Sequence, residues 1–131
     1  MKLLMFHVKE FWYKPDIDSA DISKGNTMTN AIVAFVHVEE GDKTRKEEII
    51  KKAAGNLKWL ANKNKTDNII LHSFAHLASS KADPETANEI ILKIGEKLEK
   101  TLNIHIVPFG QFYEFSMHVN GPSLAKVFKD L

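Results

Sequence analysis

Cysteine is absent from the 131 residues, which excludes a disulfide scaffold, thiol nucleophiles, iron–sulfur clusters and zinc sites built on thiolates. Long apolar runs are missing too. No stretch approaches the ~20 residues of a membrane-spanning helix. The opening Leu3-Leu4-Met5-Phe6 is apolar for only four residues before His7 and Lys9, too short for a signal-peptide core. A cytoplasmic protein is the expectation. No Gly-rich phosphate loop follows any expected strand, which argues against a nucleotide-driven enzyme. Repeats of 20–50 residues and low-complexity tracts are also lacking, so a solenoid is excluded. Charge of one sign is scarce in total: 18 Lys and Arg face 17 Asp and Glu, leaving +1. What is present is ordinary for a folded domain, with 44% hydrophobic and 27% charged residues. A chain of this length can bury roughly two thirds of its unfolded surface around one core, without staples. A single domain over residues 1–131 is expected.

Hydrophobic periodicity orders the chain. Residues 3–8 read as a first strand that Phe11, Trp12 and Tyr13 continue or pair with. Residues 15–30 are polar and contain Pro15 and Gly25, so they read as a long loop. Residues 31–38 are apolar except for His37, the pattern of a strand covered on both faces. Thr44 with Glu47 three residues later predicts a capping box, opening a helix whose apolar face is Ile49, Ile50, Ala53, Leu57, Leu60 and Ala61. Residues 68–72 form a short strand. Asp83-Pro84 predicts the start of a second helix, with Ala87, Ile90, Ile91, Ile94, Leu98 and Leu102 on its buried side. Residues 103–107 and 112–119 are strands, the latter alternating by side chain. After Gly121-Pro122-Ser123, residues 124–129 read as a short terminal helix. Strands and helices interleaved in this way predict an α/β or α+β sandwich on a mixed sheet.

Three features carry candidate chemistry. Ser73-Phe74-Ala75-His76-Leu77-Ala78-Ser79-Ser80 leaves the end of an expected strand, where α/β folds place ligands. His76 there can hydrogen-bond a substrate or act as acid or base near neutral pH, or it can be satisfied by a neighbouring carbonyl. His72 and His76 have a helical metal-pair spacing, but strand followed by loop does not put both rings on one helical face. His7, His37, His105 and His118 lie in strands and read as packed or surface histidines, with His7 set apart by its place at the end of the first strand. The second feature is Pro108-Phe109-Gly110-Gln111-Phe112-Tyr113. Gly110 permits a turn or close backbone approach to a ligand, while Phe109 and Phe112 can wall a ribose or base, or simply form a hairpin with core aromatics. The third is charge: between Lys43 and Lys65, eight basic residues stand against Glu47 and Glu48, a local +6. Lys43, Arg45, Lys46, Lys51, Lys52 and Lys58 could follow a phosphate backbone, or form a solvated helix face.

Taken in order, these pieces resemble the N-terminal editing domain of archaeal-type threonyl-tRNA synthetase over nearly the whole chain. The resemblance rests on Lys-Leu-Leu-Met-Phe-His at the start, Ala-Phe-Val-His-Val-Glu at 34–39, Phe-Ala-His-Leu-Ala-Ser-Ser at 74–80, Pro-Phe-Gly at 108–110, and the 121–124 segment. It implies a D-aminoacyl-tRNA-deacylase-like α/β fold: a mixed β-sheet packed with two main helices and a short C-terminal helix, usually a homodimer. It implies hydrolysis of serine wrongly attached to tRNA(Thr), with no cofactor and no metal in this domain. Carried over, the serine pocket takes Val38, Ser73, Phe74, Ala75 and His76, largely through main-chain atoms. Phe109, Gly110, Gln111 and Phe112 face the terminal adenosine and the scissile ester; His76, Phe109, Gly110 and Phe112 are the catalytic set. His7 matches a family histidine near the pocket.

Some relatives carry two tyrosines and a lysine after Phe-Gly, where this chain has Gln111, Phe112 and Tyr113. An acidic residue of those relatives is matched by Lys126. The family relies on main-chain groups and the RNA's own 2′-hydroxyl, so the resemblance still implies an active enzyme, with Tyr113 and Lys126 as neighbours of the site. One rival is a stand-alone D-aminoacyl-tRNA deacylase, suggested by Asn120-Gly121-Pro122. That family's Ser-Gln-Phe-Thr-Leu is replaced here by Ser73-Phe74-Ala75-His76-Leu77. A second rival is a non-catalytic tRNA-binding or dimerisation domain. The aminoacylation machinery does not fit in this length, so the resemblance places it in cis or in trans.

Overall fold

The computed structural model describes residues 1–16 and 25–131. Six strands and two long helices are present: β1 (Lys2–Pro15), β2 (Asn26–His37), α1 (Lys46–Lys63), β3 (Asn68–Ser73), α2 (Pro84–Leu98), β4 (Asn103–Ile106), β5 (Tyr113–Val119) and β6 (Lys126–Asp130). They form one mixed sheet in the order β4-β3-β2-β1-β5, with β6 also on β1. β1 runs antiparallel to β2, β5 and β6, whereas β2, β3 and β4 are mutually parallel. Fourteen residues make β1 long enough to serve two partners along its free edge. Residues 2–6 pair with β6, residues 8–15 pair with β5, and the β5 register shifts between Val8 and Glu10.

Parallel neighbours need crossovers, and right-handed crossovers that step steadily across a sheet leave their helices on one face. α1 and α2 accordingly bury Ile49, Ala53, Leu57, Leu60, Ile90 and Ile94 against Leu3, Met5, Ile32, Ala34, Ile69 and Leu71. Each such leucine or isoleucine contributes about 1.5–3 kcal/mol through burial. Gly95 lets α2 approach β4, since a Cβ there would stand 2.8 Å from Ile106 Cδ1. The alternate residues of the same strands face the other way: Ala31, Val33, Phe35 and Ile70 join Phe11, Tyr13 and Val107 in a second cluster.

The expected strands and the two helices are present, with three corrections. Loop 15–30 is shorter than expected, because β1 reaches Pro15 and β2 begins at Asn26; its centre, 17–24, lies outside the described residues. The capping pattern assigned to Thr44 and Glu47 is not the one used. Thr44 ends a 3-10 turn, Glu40–Thr44, and the side chain of Arg45 at the head of α1 caps nothing. Reciprocal capping sits five residues earlier, where Asp42 Oδ2 accepts from the Glu39 N–H at 2.8 Å. Finally, the terminal helix is absent. Residues 123–125 make one 3-10 turn and 126–130 form β6, because Val127 and Phe128 pair with Met5 and Leu4 of β1. The helix at Asp83-Pro84 is as expected, with Asp83 accepting from Thr86 N at 3.0 Å.

Candidate functional site

The C-terminal ends of β2, β3 and β4 lie on one edge of the sheet. There the chain leaves β3 at Ser73, enters α2 at Pro84, and leaves β4 for Val107–Phe112. Two adjoining cavities open at this edge. One, of about 360 Å³, is lined by His72, Gly110, Gln111, Phe112 and Tyr113 together with Ser73, Pro84 and Phe109. The other, of about 340 Å³, is lined by Val38, Ala75, Lys81 and Ala82 together with the same Ser73, Pro84 and Phe109. The shared residues make them two chambers of one site. Crossover strands place ligands at this edge because their loops converge there.

The two loops flanking the site are held from behind. Phe74 N–H bonds to Val36 O at 2.9 Å and Ala82 N–H to Val38 O at 3.0 Å, pinning both ends of the first loop to β2 and the residue after it. Val107 N–H bonds to Leu71 O at 2.9 Å and anchors the second. Among the described residues, the N–H groups of Ala75, His76, Gly110 and Gln111 have no protein acceptor. Gly110 has φ +92°, a conformation that L side chains rarely adopt. Donors of this kind on either side of a cavity can stabilise charge that develops on an oxygen. The N-terminus of α2, opening beside the chamber at Pro84, adds a partial positive charge.

His37 is a residue the sequence does not single out. It is fully buried. Its Nδ1 accepts the Leu77 N–H at 2.9 Å, which leaves Nε2 to donate to Ser80 O at 2.7 Å. One imidazole on β2 therefore clamps the first loop at two points. The signal in the sequence is a lone polar residue inside the apolar run 31–38.

His72 belongs to the wall. Its ring contacts Phe35, Phe74, Tyr113 and Phe115 at centroid distances of 5.5–6.5 Å. Nδ1 donates to Ser73 O at 2.7 Å, while buried Nε2 has no partner among the described residues. Burial holds its pKa below the ordinary value, against the opposing pull of the Ser73 carbonyl. Burial lowers His105 in the same direction. The unfolded chain takes up these protons below about pH 6.5, whereas the native state resists them. Stability is thus full above that pH and declines as pH falls through it. The urea midpoint is expected to drop between pH 7 and 5.5, and to drop less in His72→Phe; equal drops in both proteins would refute this origin.

Val38, Ser73, Ala75, Phe109, Gly110, Gln111, Phe112 and Tyr113 of the expected site line the two chambers. Phe74 and His76 stand beside them, their rings 5.0 Å apart. Tyr113 hydrogen-bonds Pro108 O through its hydroxyl. His7 and Lys126 line neither chamber. His7 is held between Asn30 Oδ1 at 2.9 Å and Asn120 Nδ2 at 3.1 Å. Lys126 donates to the carbonyls of Asn120 and Gly121 at 2.9 and 3.0 Å, closing the turn before β6. Of the basic residues expected to meet RNA, three are engaged internally: Arg45 with Asp42 and Leu131 O, Lys46 with Glu89, and Lys52 with Glu48. No ion pair holds Lys51 or Lys58 among the described residues.

A family model described as the archaea-specific editing domain of threonyl-tRNA synthetase matches residues 1–131. The threonine–tRNA ligase of Pyrococcus horikoshii is 34% identical over 97% of this chain. That of Staphylothermus marinus is 33% identical over 100% of it, and that of Thermococcus onnurineus 30% identical over 97%. The chain spans 22% of the length of each of these relatives.

Proposed function

The chain belongs to the archaea-specific editing domain family of threonyl-tRNA synthetase, and from that premise we propose that its two-chambered site hydrolyses seryl-tRNA(Thr) and spares threonyl-tRNA(Thr). The observation that carries the reading is that the N–H groups of Ala75 and His76 in one flanking loop, and of Gly110 and Gln111 in the other, have no protein acceptor among the described residues.

Selectivity has a physical need behind it. Serine is smaller than threonine by one methyl group, so a synthetic pocket can reject it by only ~1–3 kcal/mol. A second pocket that admits the smaller side chain supplies the missing discrimination. In this reading the chamber lined by Val38 and Ala75 takes the seryl group and discriminates against the additional methyl. The terminal adenosine lies against Phe109 and Phe112 in the neighbouring chamber. Water attacks the ester carbonyl, the backbone N–H groups stabilise the oxyanion, and the ester oxygen leaves on the ribose. Placing one oxyanion donor correctly is worth roughly 10²–10³ in rate. The terminal ribose 2′-hydroxyl orients the water and takes part in its deprotonation, so that no side-chain base is called for. The mixed sheet with two helices on one face is consistent with a D-aminoacyl-tRNA-deacylase-like fold, and this reading calls for no cofactor or metal. Exposed Phe115 on β5 and Phe128 on β6, both strands paired with β1, support a homodimer.

Deacylation assays test this directly. Seryl-tRNA(Thr) should be hydrolysed and threonyl-tRNA(Thr) left intact; equal hydrolysis of both, or of neither, overturns the reading. Preference for a D-aminoacyl ester would instead assign the chain to the deacylase role. Replacing the terminal 2′-hydroxyl by hydrogen should slow hydrolysis at least a hundredfold, a loss on the order of a missing oxyanion donor.

A further inference from the structure

Two basic residues of α1, Lys46 and Lys52, are engaged with acids. A different cationic surface emerges where α1 lies beside α2. A groove of about 540 Å³ runs between the helices, lined by Lys51, Lys93, Lys97 and Lys100, with Glu47 and Glu96 as its acids. Lys93 pairs with Glu89 at 3.2 Å. Lys51, Lys97 and Lys100 hold no ion pair among the described residues. Lys51 comes from α1, Lys93 and Lys97 from α2 and Lys100 from the turn after it, so the group forms only where the two helices pack side by side.

Position gives this surface its meaning. α2 begins at Pro84, in the wall of both chambers, and runs away from them along the groove. At ~1.5 Å per helical residue, Lys93 and Lys97 lie about 14 and 20 Å along the axis from Pro84. Phosphates on one strand of a duplex recur at ~3.4 Å along its axis. The groove therefore begins about 14 Å from an ester seated at Pro84, and its Lys93–Lys97 stretch of about 6 Å matches about two successive duplex phosphates. Resting on the deacylase reading above, we propose that the α1–α2 groove is the phosphate track for the duplex beneath the substrate's 3′ end, with Lys51, Lys97 and Lys100 as its contacts. This surface is a row of point charges: lysine ammoniums neutralise phosphates without reading bases. It fixes the approach of the substrate while the chambers select the amino acid.

The test uses an unacylated RNA minihelix with a single-stranded 3′ end, so binding is read independently of hydrolysis. Fluorescence anisotropy is followed against salt for the full chain and for Lys51→Gln/Lys97→Gln/Lys100→Gln. Each phosphate that is no longer neutralised should lower the slope of log K on log salt by roughly one, giving a fall of about three in the triple variant. Affinity at 0.1 M salt should fall roughly a hundredfold. Lys9→Gln/Lys129→Gln, with the same kind of charge removed from β1 and β6, should leave slope and affinity unchanged. Circular dichroism checks that each variant is folded. An unaltered slope in the folded triple variant overturns the proposal, as does an equal loss in the β-strand variant. Loss of binding to poly-glutamate, with minihelix binding intact, would overturn it in favour of an acidic protein partner. Failure of the seryl-specific assay with the groove effect intact would overturn the deacylase reading alone.

Discussion

Replacing Asp42 with alanine is expected to destabilise this chain by about 3–5 kcal/mol, the cost of breaking a buried ion pair. The carboxylate is 1% exposed. Its Oδ1 accepts from the Met1 ammonium at 3.1 Å and from Arg45 Nη2 at 3.1 Å, while Oδ2 accepts from the Glu39 N–H at 2.8 Å. The Met1 ammonium is itself buried, and its other partner is Glu39 Oε2 at 3.0 Å. Glu39 also takes Lys2 Nζ at 3.3 Å. Burial alone would push the Glu39 carboxyl up, but hydrogen bonds from the Met1 ammonium and Lys2 hold it below its ordinary value. Removing Asp42 leaves an ammonium in the core with one carboxylate in place of two. Urea unfolding of the 131-residue chain measures the loss; a change below about 1 kcal/mol, the range of exposed pairs, would show that the cluster is solvated in practice.

On the proposed hydrolysis of seryl-tRNA(Thr), removing the imidazole of His37 is expected to cost activity more than any exposed substitution in the loop it holds. In His37→Ala the Leu77 N–H and the Ser80 carbonyl both lose their partners, and the loop carrying Ala75 and His76 is released between its ends. A displacement of about 1 Å in catalytic groups can reduce rate about a hundredfold. Single-turnover hydrolysis of seryl-tRNA(Thr) should fall by that order, and the Leu77 amide should exchange faster with solvent. His37→Gln, which keeps a donor and an acceptor, should restore part of both. A normal rate with fast exchange at Leu77 would show that the loop's position does not limit the reaction.

The sequence makes the long elements legible because their periodicity is enforced over many residues. α2 carries its cap, its proline and its apolar stripe in one window, and 31–38 is apolar because both faces of β2 are covered. Shorter elements depend on partners far away. β6 has five residues with Val127 as its half-buried member, so local pattern favours a helix where pairing with β1 dictates a strand. The polar ends of the β1–β2 ribbon, such as Thr27 and Thr29, lack the apolar signal of a covered strand. At the site, the two loops are visible as strand exits, and most expected lining residues do line the chambers. His7 lines neither chamber because β1 runs on to Pro15, which leaves it mid-strand between Asn30 and Asn120, and Lys126 opens β6 on the far side of β1. The role of His37 is equally invisible, since it is defined by a loop 40 residues further on.

β1 also sets the order in which the fold can be completed. It pairs with β2 nearby, with β5 about a hundred residues later, and with β6 through Lys2 and Asp130. During synthesis β2, β3 and β4 with their crossover helices can assemble first, because each pairing is with the next strand in sequence. The first strand meanwhile keeps one edge unpaired until the last strands emerge. Such non-local pairings fold slowly, since loop closure precedes their reward, and an open edge invites association with other chains. Chains shortened before residue 126 should therefore be more aggregation-prone than the 131-residue chain.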